Sequence, residues 1–255
     1  MKIRNIAANI AAVLGCSALL ALVPAIAGDH AAAGEDLGAH LIIFYDTDYI
    51  FRGVNYGENL LWSDVNVSTS LSDGMDLNVG AWYANVTDAA GADELDIYAG
   101  VSTSLGGLSL DLGSTYYYYP TDGGNTLEFG AALGSSVGAF DVSAGVYYDI
   151  DIEAAYWELG AGTSFDVSDT LSLDVGATLG NADGDTLTAL TVTIGAPIAL
   201  SDSASLSPYV GINVPLDDYE DAYGDDVFSG ISLTCLLYTS PSPRDLSTCR
   251  MPSSA

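Results

Sequence analysis

Ten carboxylates and one guanidinium are the residues in this chain whose chemistry stands out. Asp46, Asp48, Asp64, Asp76, Asp96, Asp111, Glu128, Asp141, Glu158 and Asp174 alternate with apolar neighbours, and Arg52 is the only Lys or Arg between Gly28 and Thr234. Carboxylates at this density attract cations, ligate hard metal ions through oxygen, or trade protons as acid–base pairs. Their field opposes anions and favours cations or neutral polar solutes. Arg52 is expected to pair with nearby inward or loop carboxylates. The alternative is contact with an anionic group on a solute.

Two acidic stretches invite a metal reading: NADGD at Asn181–Asp185 and DDYEDAYGDD at Asp217–Asp226. The first departs from a calcium loop, because its glycine comes two positions early and no closing Glu follows. Both are expected to be solvated loop charge, with no metal and no cofactor bound. Nucleophilic catalysis needs a base within hydrogen-bond reach of the nucleophile. The only histidines are His30 and His40. Acids are too numerous for spacing to single out a catalytic pair, and no enzymatic activity is expected.

The elements that carry these acids follow from a period of two. In LSLDVGATLG, Leu171, Leu173, Val175, Ala177 and Leu179 alternate with polar or small residues. Strand side chains point alternately to two faces, so one face is apolar and the other polar. The pattern recurs near Leu41–Val54, Leu61–Leu71, Met75–Val86, Glu94–Leu105, Leu108–Tyr119, Thr126–Ser135, Phe140–Asp149, Ala154–Phe165, Leu171–Gly180, Leu187–Leu200, Ser205–Leu216 and Val227–Thr234. Each segment is close to the ~9–11 residues a tilted strand needs to cross a bilayer. Tight connections such as Ser72-Asp73-Gly74 and Gly106-Gly107 alternate with longer acidic ones, among them Asn55–Leu60, Thr87–Asp93, Pro120–Asn125 and Asp217–Asp226.

Such a meander predicts an all-β fold: a twelve-stranded antiparallel up-and-down transmembrane β-barrel, apolar face to lipid and acids to the lumen. Closure satisfies every backbone N–H and C=O without water. The eleven residues named above are the expected lumen-facing set. Glycines share their phase, among them Gly80, Gly130, Gly145, Gly211 and Gly230. They either leave space for a solute or let Tyr98, Tyr147 and Tyr209 pack over them. Aromatics near the long-loop ends, including Tyr49, Phe51, Trp62, Trp82, Tyr83, Tyr116 to Tyr119, Tyr147, Tyr148, Tyr156, Trp157 and Phe228, suggest an interfacial girdle.

Of the 34 acidic residues, all but Asp245 lie within Gly28–Thr234, yet mean hydropathy is +0.30. This charge excludes nucleic acid as a partner, since phosphate binding needs Lys and Arg. Lys2, Arg4, an apolar run and Ala25-Ile26-Ala27 form a cleavable secretory signal, residues 1–27. A short segment, 28–36, leads into the barrel, 37–234. That region has no Cys, so no disulfide framework holds the fold. From Cys235 the alternation ends, and residues 235–255 resemble a translated sequencing adaptor, expected to be a disordered, non-native tail.

The strings DTDYIFRGVNYG (Asp46–Gly57), LNVGAWYANV (Leu77–Val86), ELDIYAGVS (Glu94–Ser102) and TYYYYP (Thr115–Pro120) resemble the proteobacterial TorF-type porins, from about Asp46 to Phe165. The resemblance implies an outer-membrane barrel with a porin-like role and supplies no catalytic residues. One departure is the last strand, which runs into the tail instead of ending on the aromatic that assembly machinery reads. The expected partners are outer-membrane lipid and lipopolysaccharide, the barrel assembly machinery, and small polar solutes or cations. The expected function is passive diffusion of small cationic or neutral solutes across a Gram-negative outer membrane. A non-conducting structural or surface-interaction barrel is the other reading.

Overall fold

Alternating β-branched, aromatic and small residues favour pleated strands here, and turn chemistry ends them. The computed structural model describes residues 38–88, 93–121 and 123–238. The expected signal segment and residues 239–255 lie outside them. The strands are β1 (Gly38–Phe51), β2 (Val54–Ser72), β3 (Met75–Val86), β4 (Asp93–Leu105), β5 (Leu108–Tyr118), β6 (Thr126–Val137), β7 (Phe140–Asp149), β8 (Ala154–Ser168), β9 (Leu171–Ala182), β10 (Thr186–Gly195), β11 (Ile198–Ser201), β12 (Ala204–Pro215) and β13 (Asp226–Tyr238). A short 3₁₀ helix, Asp217–Tyr219, lies between β12 and β13.

Every pairing is antiparallel; consecutive strands pair except around β10 and β11, which both lie between β9 and β12, and β1 pairs with β13 to close the sheet on itself. Strands β10 and β11 act as one stave interrupted at Ala196-Pro197, so the barrel has twelve staves. Pro197 has no N–H to give a ladder. Its carbonyl still accepts from Ser172 N at 3.1 Å, and Ala196 N donates to Pro208 O at 2.9 Å.

Three boundaries differ from the sequence expectation. The first long-side connection is not Asn55–Leu60. The chain reverses at Arg52-Gly53, and Asn55–Leu60 belongs to β2. Both turn residues have positive φ, 48° and 87°, the sign combination of a type I′ hairpin turn, which suits the strand twist. Arginine is an uncommon residue at that first position, which is why the turn carries no Asn-Gly signature. The expected continuous tenth strand, Leu187–Leu200, is the broken stave just described. At the far end the last strand continues past Thr234: Cys235 pairs with both Leu41 and Ala204, and β13 runs to Tyr238. The backbone ladder there is sustained by its two neighbours despite the lost alternation.

The two faces separate as the period requires. Ile43, Leu61, Val65, Ile97, Leu112, Phe129, Leu133, Val146, Leu159 and Phe165 are exposed on the outside, several by half their surface. The opposite phase holds the buried residues, among them Asp64, Asp96, Tyr117 and Asn213, each 0 % exposed. This apolar exterior and polar interior invert the water-soluble pattern.

The inversion is testable. Leu112→Arg should destabilise the protein refolded in lipid vesicles by about 2–4 kcal/mol, less if the site lies near a bilayer interface. Asp111→Asn, on the opposite face of the same strand, should change stability far less. Urea unfolding followed by tryptophan fluorescence reads both, and equal effects would contradict the assignment of faces.

Candidate functional site: an inward-folded hairpin and an acidic interior

The β1–β2 hairpin is the longest in the barrel, with β2 spanning 19 residues. A register shift between Asp48 and Ile50 changes the phase of β1 near its end. Tyr49 and Phe51 therefore turn inward. Phe51, Arg52 and Val54 are 2 %, 8 % and 3 % exposed, so the tip is folded into the barrel instead of standing in solvent.

The tip reaches the far wall. Arg52 Nη1 and Nη2 donate to Glu128 Oε2 and Oε1 on β6 at 2.8 and 2.9 Å, a two-pronged, charge-assisted contact. Its guanidinium carbon lies 4.2 Å from the ring centre of Tyr156 on β8 and 4.9 Å from those of Tyr147 on β7 and Phe51. Gly53 O accepts from Asn213 Nδ2 on β12 at 3.1 Å. A methyl on Gly53 would collide with Ala189 on β10, so the close approach needs glycine. One turn thus touches β6, β7, β8, β10 and β12. A cavity of about 40 Å³ remains beside Arg52, Glu128, Tyr156 and Tyr219. That is room for a few waters at most. Tyr219, on the loop helix above, has its hydroxyl pushed up to about 12, chiefly by burial, with Tyr223 and Asp183 adding.

Five of the buried acids, Asp46, Asp64, Glu94, Glu128 and Glu158, have tyrosine partners. Tyr209 Oη donates to Asp46 Oδ1 at 2.6 Å, and Trp62 Nε1 to its other oxygen at 2.9 Å. Tyr98 Oη donates to Asp64 at 2.7 Å, Tyr117 Oη to Glu128 at 3.0 Å and Tyr147 Oη to Glu158 at 3.3 Å. Glu94 receives both Tyr49 and Tyr119. Asp96 is fully buried on the same face. Asp48 sits at the bulge, where Asn55 Nδ2 bridges it to Asp226. Sequence reasoning named most of these acids and missed the hydroxyls that hold them. It also passed over Glu94, although Glu94 shares the phase of Asp96 two residues on.

Aromatic rings fill the space between. Phe44 stacks on Trp62 at 4.5 Å, Trp62 meets Trp82 at 5.9 Å, and Trp82 meets Tyr49 at 6.1 Å. Tyr209 links Phe44 to Phe228. Tyr98 lies over Gly80, Tyr147 over Gly130 and Gly145, and Phe228 over Gly211. The girdle expected from the sequence is therefore divided. Phe51, Trp62, Trp82, Tyr117, Tyr147, Tyr156 and Phe228 point inward, while Tyr83, Tyr116, Tyr118 and Tyr148 stay exposed outside. Clustering at one end of the strands holds for both groups; only the phase separates them.

The short-turn half is different. There Ser70 donates to Asp76 at 2.6 Å, Ser136 to Asp141 at 2.6 Å, and Ser164 to Asp174 at 2.6 Å. Ser102 donates to Asp111 at 2.5 Å. Each pair spans one short-turn hairpin: β2–β3, β4–β5, β6–β7 and β8–β9. None of these aspartates is buried. Water thus reaches a belt of serine-held carboxylates below the filled half.

The acids of the long loops have their own backbone partners. Asp151 accepts Leu127 N at 2.8 Å, Asp183 accepts Ala155 N at 2.9 Å, and Asp217 accepts Leu187 N at 2.9 Å. Each loop therefore ties down the start of a neighbouring strand. Asn181 Oδ1 closes the NADGD turn onto Gly184 N at 2.8 Å. Among the described residues no group of three or more His, Cys, Asp or Glu is placed to hold a metal ion.

Known structures share this architecture. The COG4313 outer membrane channel from Pseudomonas putida F1 aligns with a TM-score of 0.51 at 12% identity, over 82% of this chain and 98% of that one. The KdgM porin aligns with a TM-score of 0.52 at 9% identity, over 78% and 99%. The NanC porin gives 0.50 at 8%, over 78% and 100%. At these identities the likeness is one of fold: a closed porin-like barrel. No curated protein sequence matches the chain. Residues 30–195 match the model of a bacterial family of unknown function, Gcw_chp, and the chain belongs to that family.

Proposed function

We propose that this protein is an outer-membrane channel for passive diffusion of small polar solutes, cationic or neutral. The observation that carries the proposal is the belt of Asp76, Asp111, Asp141 and Asp174 on the water-accessible inner face. Each serine binds one oxygen and positions the carboxylate. Rings of acids raise the local cation concentration and repel anions. Arg52 is the only Lys or Arg among the described residues, and it is engaged with Glu128. The exposed leucines and aromatics outside fit hydrocarbon as their neighbour, with lipopolysaccharide around the loops. The TorF-type resemblance supports the same reading, as does an export signal over residues 1–27 feeding the barrel assembly machinery of a Gram-negative cell. No catalytic role is assigned to any residue.

A second reading draws on the filled upper half. A barrel crossed by its own hairpin fits a non-conducting structural or surface-interaction protein, with acidic loops presented outward. Conductance separates the two.

In planar bilayers the refolded mature chain should give single-channel steps, and its reversal potential in a KCl gradient should show cation preference. Replacing Asp76, Asp111, Asp141 and Asp174 together by Asn should lower the cation-to-anion permeability ratio severalfold. Anion preference in the unmodified protein would overturn the account of the acidic belt. Absence of any steps would favour the structural barrel. The location has its own check: the protein should fractionate with outer membranes and require detergent to stay dispersed. Recovery as a monomer in plain buffer would exclude the membrane assignment.

A further inference from the structure

The Arg52-Gly53 turn crosses the upper half of the lumen among the rings that fill it, and the contacts that hold the turn differ from those that hold the wall. Barrel strands are tied by continuous ladders. The Arg52-Gly53 tip is held to the far wall by the Arg52–Glu128 pair, by ring contacts to the guanidinium, by one hydrogen bond from Asn213, and by Gly53 packed on Ala189. Arg52 also sits in the left-handed region at φ 48°, where side chains other than Gly, Asn and Asp are rarely found. A buried, two-pronged partner offsets that strain. No ladder bond of the barrel needs breaking for the tip to swing out, because the turn is the end of its own hairpin.

We propose that the β1–β2 tip is a gate for the channel proposed above, and that the Arg52–Glu128 pair is its latch. The closed state is the one described here. Release of the latch lets the tip leave the lumen, so that solutes entering past the acidic belt can pass through. Arg52 is a positioning residue in this account: it sets where the tip rests and does not contact the solute. The sign of its charge makes the device specific. It is the only Lys or Arg among the described residues and it binds inside an acidic wall, where a cationic solute crowding Glu128 competes for the same carboxylate.

The inference rests on the channel reading, and one experiment separates their failures. Time-averaged conductance in planar bilayers is compared for the full chain and for Arg52→Gly, Arg52→Lys and Glu128→Gln. Glycine accepts the left-handed conformation, so Arg52→Gly removes the latch while keeping the turn. Glu128→Gln keeps the shape of the wall and removes its charge. Both should raise mean conductance roughly tenfold or more, the change in open-to-closed ratio equivalent to about 1.4 kcal/mol. Arg52→Lys, which keeps charge and loses the fork, should fall between them and the unmodified protein. Hydrogen exchange across residues 50–57 should speed up in the same order, with the ladder amides of β6 and β8 unchanged; that control shows that the variants fold. Equal conductance in all four proteins would overturn the latch and leave the channel standing. Silence from all four would overturn the channel, and the gate with it.

Discussion

A backbone amide that faces hydrocarbon cannot borrow water, so each N–H and C=O in a spanning segment must find a partner in the chain. Much of this structure follows from that constraint. It requires β1 to meet β13, since an open edge in an apolar surrounding would leave two rows of orphan groups. It explains why β13 continues through Cys235, a residue whose surrounding sequence gives no strand pattern: Leu41 and Ala204 present ladders on both sides. At Pro197, where an N–H is missing, neighbouring amides and carbonyls re-pair around the gap so that the stave bends without opening the wall.

Closure then creates an inside, and the inside has its own accounting. Carboxylates taken out of bulk water are costly unless hydrogen-bonded or paired. Here they receive tyrosine hydroxyls, an indole N–H, asparagine amides and a single guanidinium. A tyrosine serves twice in this setting. Its ring fills volume over a glycine on the next strand, and its hydroxyl meets an acid on the strand beyond, as Tyr98 does over Gly80 and toward Asp64. Lysine could neutralise the acids but would leave the space between the strands unfilled by rings.

The result is a barrel with two unlike halves. On the loop side, rings and an inward turn exclude water from acids that are held by side chains of other strands. On the short-turn side, serines hold aspartates that are not buried. The loops above are fastened by their own carboxylates to the amides that begin neighbouring strands, which gives the acidic loops a structural use independent of any ion.

Period-two patterning is local, and the sequence by itself determined what depends only on it: the strands, their amphipathic faces, the stave count, and the phase on which acids and glycines lie. Leu173 and Asp174 fall on opposite faces because neighbouring side chains of a strand must do so. Other features depend on pairs far apart in the chain, and only the tertiary structure decided them. Arg52 and Glu128 are 76 residues apart. Nothing in DTDYIFRGVNYG announces a type I′ turn, since the usual Asn-Gly is absent and the Arg that adopts the left-handed conformation has its guanidinium held by the far wall. The inward fate of Trp62 and Trp82 was equally hidden, because aromatics suit both a lipid interface and a packed lumen. Which surface a ring meets is fixed when the sheet closes and its two faces cease to be equivalent.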